Sequence, residues 1–211
     1  MKTLSANFAL VQRSHGDSVF DRMDYQMLGI VWDKQKRRYI DHWEGTTRHL
    51  LHRVLIPEGN SDRFQDASRL WTAAAAAETR IDSVEARIID VHLPRGYSYL
   101  ACAMVALALA KLFTDRGIPV QIDLQVSVAT DGLPDIHVHM LLATRRFEND
   151  QFHEKKDAEL ERSFRAKYGR QMRREIAAII TTRSARDMAL AVDVQALACI
   201  KASSIILAVE E

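Results

Sequence analysis

The chain of 211 residues carries a formal charge of +1, is 47% hydrophobic and holds two cysteines, Cys102 and Cys199. That size supports one sizeable domain with a real core, plus at most a small C-terminal appendage. Single thiols within apolar runs exclude a disulfide framework and read as buried cysteines of a cytoplasmic protein. The longest apolar run, Leu100–Ala110, is stopped by Lys111 and is too short to span a bilayer. No signal peptide is visible at the start, so a soluble chain without membrane insertion is expected.

Taken in order, Asn7–Arg13 reads as a first strand, followed by a Ser14-His15-Gly16-Asp17 turn. Asp17 or Ser18 then caps a helix whose apolar stripe is Val19, Phe20, Met23, Met27 and Leu28, with Tyr25 off the stripe. A polar, basic segment over Asp33–Arg38 precedes Tyr39–Trp43 and an extended Thr46–Leu55, which ends at the Pro57-Glu58-Gly59-Asn60 turn. Ser68–Arg80 is an alanine-rich helix with Leu70, Trp71, Ala74 and Ala77 inward; Ala86–Leu93 is a strand stopped by Pro94 and Gly96. Ser98 caps a strongly apolar helix to Asp115, closed by Gly117. Pro119–Val128 forms an antiparallel hairpin with the strand after Asp131-Gly132. Glu154–Arg186 is predicted to be mostly helical, and Leu197–Val209 fits helix or strand equally. The order predicts an α+β fold: a central antiparallel sheet of about five strands flanked by helices.

The chemistry concentrates in Val126–Arg146, VSVATDGLPDIHVHMLLATRR. Side chains of an extended chain alternate between faces, so His137 and His139 share one face and Val138, Met140 and Leu142 the other. Two imidazoles on one face can grip a divalent cation, but they leave its sphere mostly open and need further ligands. Alone, the pair is as often structural. On the preceding strand, Asp90 and His92 also share a face. From Arg162 to Arg186 eight basic residues stand against Glu175, a net of +7, which suits either a solvated helix face or contacts to phosphates.

Several motifs in series resemble the MobA/MobL family of conjugative relaxases, members of the HUH endonucleases, over roughly Asn7–Phe147. They are LWTAAAAAETRIDSVEARIIDVHLPRGYS (70–98), KLFTDRGIPVQIDLQV, DGLPDIHVHMLLATRR and, near the front, GDSVFDRMDYQ. The resemblance implies a relaxase-like domain over 1–150, with 151–211 as a basic helical extension packed on it. It implies nicking of single-stranded DNA at a transfer origin by tyrosine transesterification, in plasmid mobilisation alongside other mobilisation proteins. Tyr25 would be the nucleophile, with Tyr168 its rival; His137 and His139 would hold Mn²⁺ or Mg²⁺.

The sequence departs from the family pattern in three places. No third histidine stands in Val126–Thr130, Asp135-Ile136 is inserted before His137, and Ile88 replaces a glutamate. His92 is the expected replacement ligand, with Asp90 binding directly or orienting an imidazole, and Asp135 a lesser substitute. Glu78, Arg80 and Asp82 read as a helix-end ion-pair cluster. Lys34, Lys36, Arg37 and Arg38, interleaved with Trp32 and Tyr39, and Arg170, Arg173 and Arg174 on the basic run are the candidate DNA contacts. Two further readings stay open: a degenerate relaxase acting as a DNA-binding or partner-binding accessory, and an interaction protein with no nucleic-acid role.

Overall fold

The computed structural model describes residues 6–28, 30–33, 38–41, 47–163, 174–180, 196–201 and 204–209. Among them a five-stranded sheet runs in the order β1 (Ala6–Gln12), β5 (Val84–His92), β7 (Pro134–Ala143), β6 (Val120–Val128), β4 (Arg48–Leu55), with every neighbouring pair antiparallel. Short two-stranded ribbons pair β2 (Ile30–Asp33) with β3 (Arg38–Asp41), β8 (Arg145–Glu148) with β9 (Gln151–Lys156), and β10 (Ala196–Lys201) with β11 (Ser204–Val209). The helices are α1 (Val19–Met27), α2 (Ala67–Ala77), α3 (Tyr99–Thr114) and α4 (Ala158–Ser163), with a further helical run over 174–180.

The register sorts the sheet into two faces. Ile89, Val91, Ile122, Leu124, Val138 and Met140 share one, all essentially inaccessible to water. The α3 helix packs against β4, β6 and β7 and buries Cys102, Val105, Leu109 and Phe113 in the same core. Each such aliphatic side chain contributes about 1.5–3 kcal/mol on leaving water. The other face carries polar groups and is nonetheless roofed. The Trp71 Nε1–H of α2 donates to Gln121 Oε1 at 2.7 Å, and Gln125 Nε2 donates to the carbonyl of Gln26 on α1 at 2.6 Å. Buried polar groups persist where each finds a partner, and this face is knit that way.

Local signals place these elements. Ser18 caps α1 by accepting from the Phe20 N–H, Asp66 caps α2 through Arg69 N–H, and Ser98 caps α3 through Ala101 N–H. Gly132, at φ +78, turns the β6–β7 hairpin and donates to the Ala129 carbonyl at 2.9 Å, as the Thr130-Asp131-Gly132 signal predicts. Glu85 anchors α1 from below: one oxygen takes the Arg13 Nε–H at 2.5 Å and the other accepts the Val19 N–H at 3.0 Å.

The predicted helix over Glu154–Arg186 needs correction. Glu154, Lys155 and Lys156 finish β9, held to β8 around the left-handed pair Asn149 and Asp150, and helix begins at Ala158. Alternation of exposed and half-buried residues is too short there to separate strand from helix by period. Leu160, Ile176 and Ile180 from these later helices join the main core. Within Leu197–Val209, which sequence left open, the described residues pair as the antiparallel strands β10 and β11.

Candidate metal and tyrosine site

His137 and His139 stand side by side on the middle strand of the sheet, their rings edge to face with centroids 4.7 Å apart. The register sets Asp90 opposite His139 and His92 opposite His137 on β5, and Asp123 and Gln125 opposite the same pair on β6. All six side chains therefore share the polar face beneath α1.

His139 is 6% exposed, and its Nδ1 lies 2.6 Å from Asp90 Oδ1. The carboxylate thus takes the Nδ1–H and leaves the lone pair on Nε2. That Nε2 is buried with no hydrogen-bond partner among the described residues, and so is Nδ1 of His137. Two unmatched imidazole nitrogens on one face, one of them set by a carboxylate behind it, are a donor set that fits a divalent metal. Completing ligands are at hand: donor atoms of His92, Asp135 and His137 all lie within 4.8 Å of one another, and His92 Nδ1 is 3.2 Å from Asp135 Oδ2. Burial, with repulsion from His139 and His92, lowers the His137 pKa from its ordinary 6.5 to about 4, so its lone pair is free at neutral pH.

The roof of the site is one face of α1, where Arg22, Tyr25 and Gln26 recur at helical spacing. Arg22 Nη2 donates to Asp90 Oδ1 at 2.6 Å; its 3.3 Å approach to His139 Nδ1 is incidental, because both groups donate to that same oxygen. Burial alone would raise the Asp90 pKa, but the His139 hydrogen bond and the Arg22 charge outweigh it and hold the carboxyl below its usual range. The Arg22 guanidinium also lies over the Tyr25 ring, 4.8 Å from its centroid. Tyr25, 36% exposed, stands edge to face on His139 with centroids 5.7 Å apart.

The structure thus gathers Tyr25, Asp90, His92, His137 and His139, with Asp135 beside them. Asp90 is occupied in holding His139 and Arg22. Lys34, Lys36, Arg37, Arg170, Arg173 and Tyr168 lie outside the described residues. Arg38 opens β3, and Arg174 is exposed at the start of the 174–180 run. Glu78 forms a buried knot, accepting from Thr144 Oγ1 and Arg145 Nε at 2.7 Å each with Lys156 Nζ at 3.4 Å, while Arg80 and Asp82 pair with each other at the surface. Sequence reading missed Arg22, whose position three residues before Tyr25 was the available signal. It also missed a second imidazole cluster, His49 and His52 on Asp123.

This sheet, with paired histidines on its middle strand and a tyrosine-bearing helix above them, is the relaxase type of fold. A solved structure described as the molecular basis of vancomycin resistance transfer in Staphylococcus aureus matches it with a TM-score of 0.73, at 18% identity, over 88% of this chain and 94% of that one. The model of the MobA/MobL family matches residues 18–197, and the chain belongs to that family, with a relaxase-like role in plasmid mobilisation. No curated protein matches it in sequence. Among the described residues no helix is long and apolar enough to cross a membrane.

Proposed function

We propose that the protein nicks single-stranded DNA at a transfer origin by transesterification, with Tyr25 as the nucleophile. The phenolic oxygen forms a bond to the scissile phosphorus as the bond to the 3′-oxygen breaks. A 5′-phosphotyrosyl link and a free 3′-hydroxyl result, and the phosphoester energy is kept for rejoining. His137 Nδ1 and His139 Nε2 would hold the divalent ion, with His92 and Asp135 completing the set. When bound, Mn²⁺ or Mg²⁺ would offset negative charge gathering on the phosphate oxygens. Asp90 acts through His139, fixing its tautomer and ring plane. Arg22 holds the Tyr25 ring over the imidazoles. Strand contacts are assigned to the basic runs around Lys34, Lys36, Arg37 and Arg38 and around Arg170, Arg173 and Arg174.

The observation that carries this reading is the approach of the Tyr25 ring to 5.7 Å from His139, whose outward nitrogen is unmatched. A labelled oligonucleotide bearing the element's origin tests it. Wild type with Mn²⁺ is expected to yield a cleaved strand and a covalent adduct. Tyr25→Phe should yield neither, and His137→Ala should cut nicking by roughly a hundredfold or more. An adduct that persists in Tyr25→Phe would transfer the role to another residue.

A second reading, a non-cutting accessory that keeps the DNA groove, is favoured by one feature. The β6 neighbours of the histidine pair are Gln125 and Asp123, both engaged elsewhere, where a third imidazole would complete the set. Salt-sensitive DNA binding without metal-dependent cleavage would select it.

A further inference from the structure

We infer that His49, His52 and Asp123 form a second transition-metal site, of the zinc class, independent of the Tyr25 centre. His49 Nε2 lies 2.9 Å and His52 Nδ1 2.7 Å from the same carboxylate oxygen, Asp123 Oδ1, and the three donor atoms are all within 4.8 Å of one another. Zinc takes imidazole nitrogen and carboxylate oxygen at about 2.0–2.2 Å, so the two imidazole–carboxylate gaps need open by only about half an ångström to admit the ion.

Three features of the fold mark this cluster as built. Residues three apart on a regular strand point to opposite faces. His49 and His52 share a face because β4 is bulged between His49 and Leu51, so that His49 pairs Gln125 while His52 pairs Asp123. Bulges re-aim side chains at sheet edges, and β4 lies at one edge of the sheet. The carboxylate is fully buried, with its second oxygen taking Gln121 Nε2–H at 2.7 Å, and Gln121 is fixed in turn by Trp71 at 2.7 Å. That relay is the outer support a ligating carboxylate requires. The imidazoles, at 26% and 30% side-chain exposure, reach solvent and leave the remaining position to water. Two imidazoles and one carboxylate with an open fourth place are a donor set that selects zinc or cobalt over magnesium. A bound ion would clamp the edge strand β4 to β6.

Cobalt(II) titration of the full-length, metal-stripped protein, followed by visible absorption, tests the assignment. A His137→Ala/His139→Ala variant, which lacks the other centre, is expected to bind one equivalent with a low-symmetry spectrum that zinc abolishes. That variant should also melt at a higher temperature with zinc. His52→Gln, at an accessible position, should lose the signal, and Gln121→Leu should weaken it by about 10- to 100-fold. No spectrum in the His137→Ala/His139→Ala protein, or an unchanged one in folded His52→Gln, would show the trio to be a hydrogen-bonded knot alone. Neither result bears on Tyr25 chemistry, which the oligonucleotide assay reads separately.

Discussion

At the scale of single residues, Asp90 and His137 hold the most exposed claims. Asp90→Asn keeps the shape but removes the charge behind His139, so Mn²⁺ affinity measured calorimetrically should fall about 10- to 100-fold. His137 sits half-buried as the neutral base, with a pKa of about 4 in place of 6.5. The unfolded chain therefore binds more protons than the folded one between those values, and stability falls as pH drops through that window. The loss is on the order of 2 kcal/mol, discounted because the ring is partly exposed. In the metal-free protein the His137 ring resonances should titrate near pH 4, and His137→Gln should flatten the acid limb of the stability curve. Glu78 adds to the same limb by a different route. Burial opposes its ionisation, but Arg145, Thr144 and Lys156 outweigh that and hold its pKa below 4.5. Its contribution is present above about pH 4.5 and fades as pH falls through the lower, folded value. The stability gap between wild type and Glu78→Gln should therefore close in strong acid.

At the scale of elements, α1 carries Tyr25 and Arg22 and is anchored at its N-terminus. Ser18 caps it and Glu85 ties its first turn to Arg13. Ser18→Ala should cost about 1 kcal/mol in chemical denaturation. Glu85→Ala removes both the acceptor of the Val19 N–H and the carboxylate partner of Arg13 and should cost about 3–5 kcal/mol. Most of these elements were legible in sequence. The Ser18 and Ser98 caps, the Gly132 turn and the period-two pattern around Val138 gave their places within a residue or two, and the shared face of His137 and His139 followed from alternation alone. Three things could not be read that way. The pairing of Asp90 with His139 is a matter of register between strands some fifty residues apart in the chain. The common face of His49 and His52 depends on a bulge, which contradicts the very alternation used to read strands. The β9 strand is six residues of mixed polarity, whose pairing with β8 decides its form.

At the scale of the whole molecule, charge is distributed to suit a polyanion although the total is only +1. Affinity for single-stranded DNA should fall linearly with salt on logarithmic axes, and replacing Arg170, Arg173 and Arg174 by Ala should reduce that slope by about 2. An unchanged slope in filter binding would remove the basic run from the footprint. One feature links the scales: Asp90 is shared between an arginine of α1 and an imidazole of the sheet. A strand of DNA that enters beneath α1 and draws Arg22 toward its phosphates leaves Asp90 to His139 alone. The electron pair on the far side of that ring then becomes a stronger donor. Under the proposed nicking reading, substrate arrival and the grip on the cation would in that way be geared to each other through a single shared oxygen.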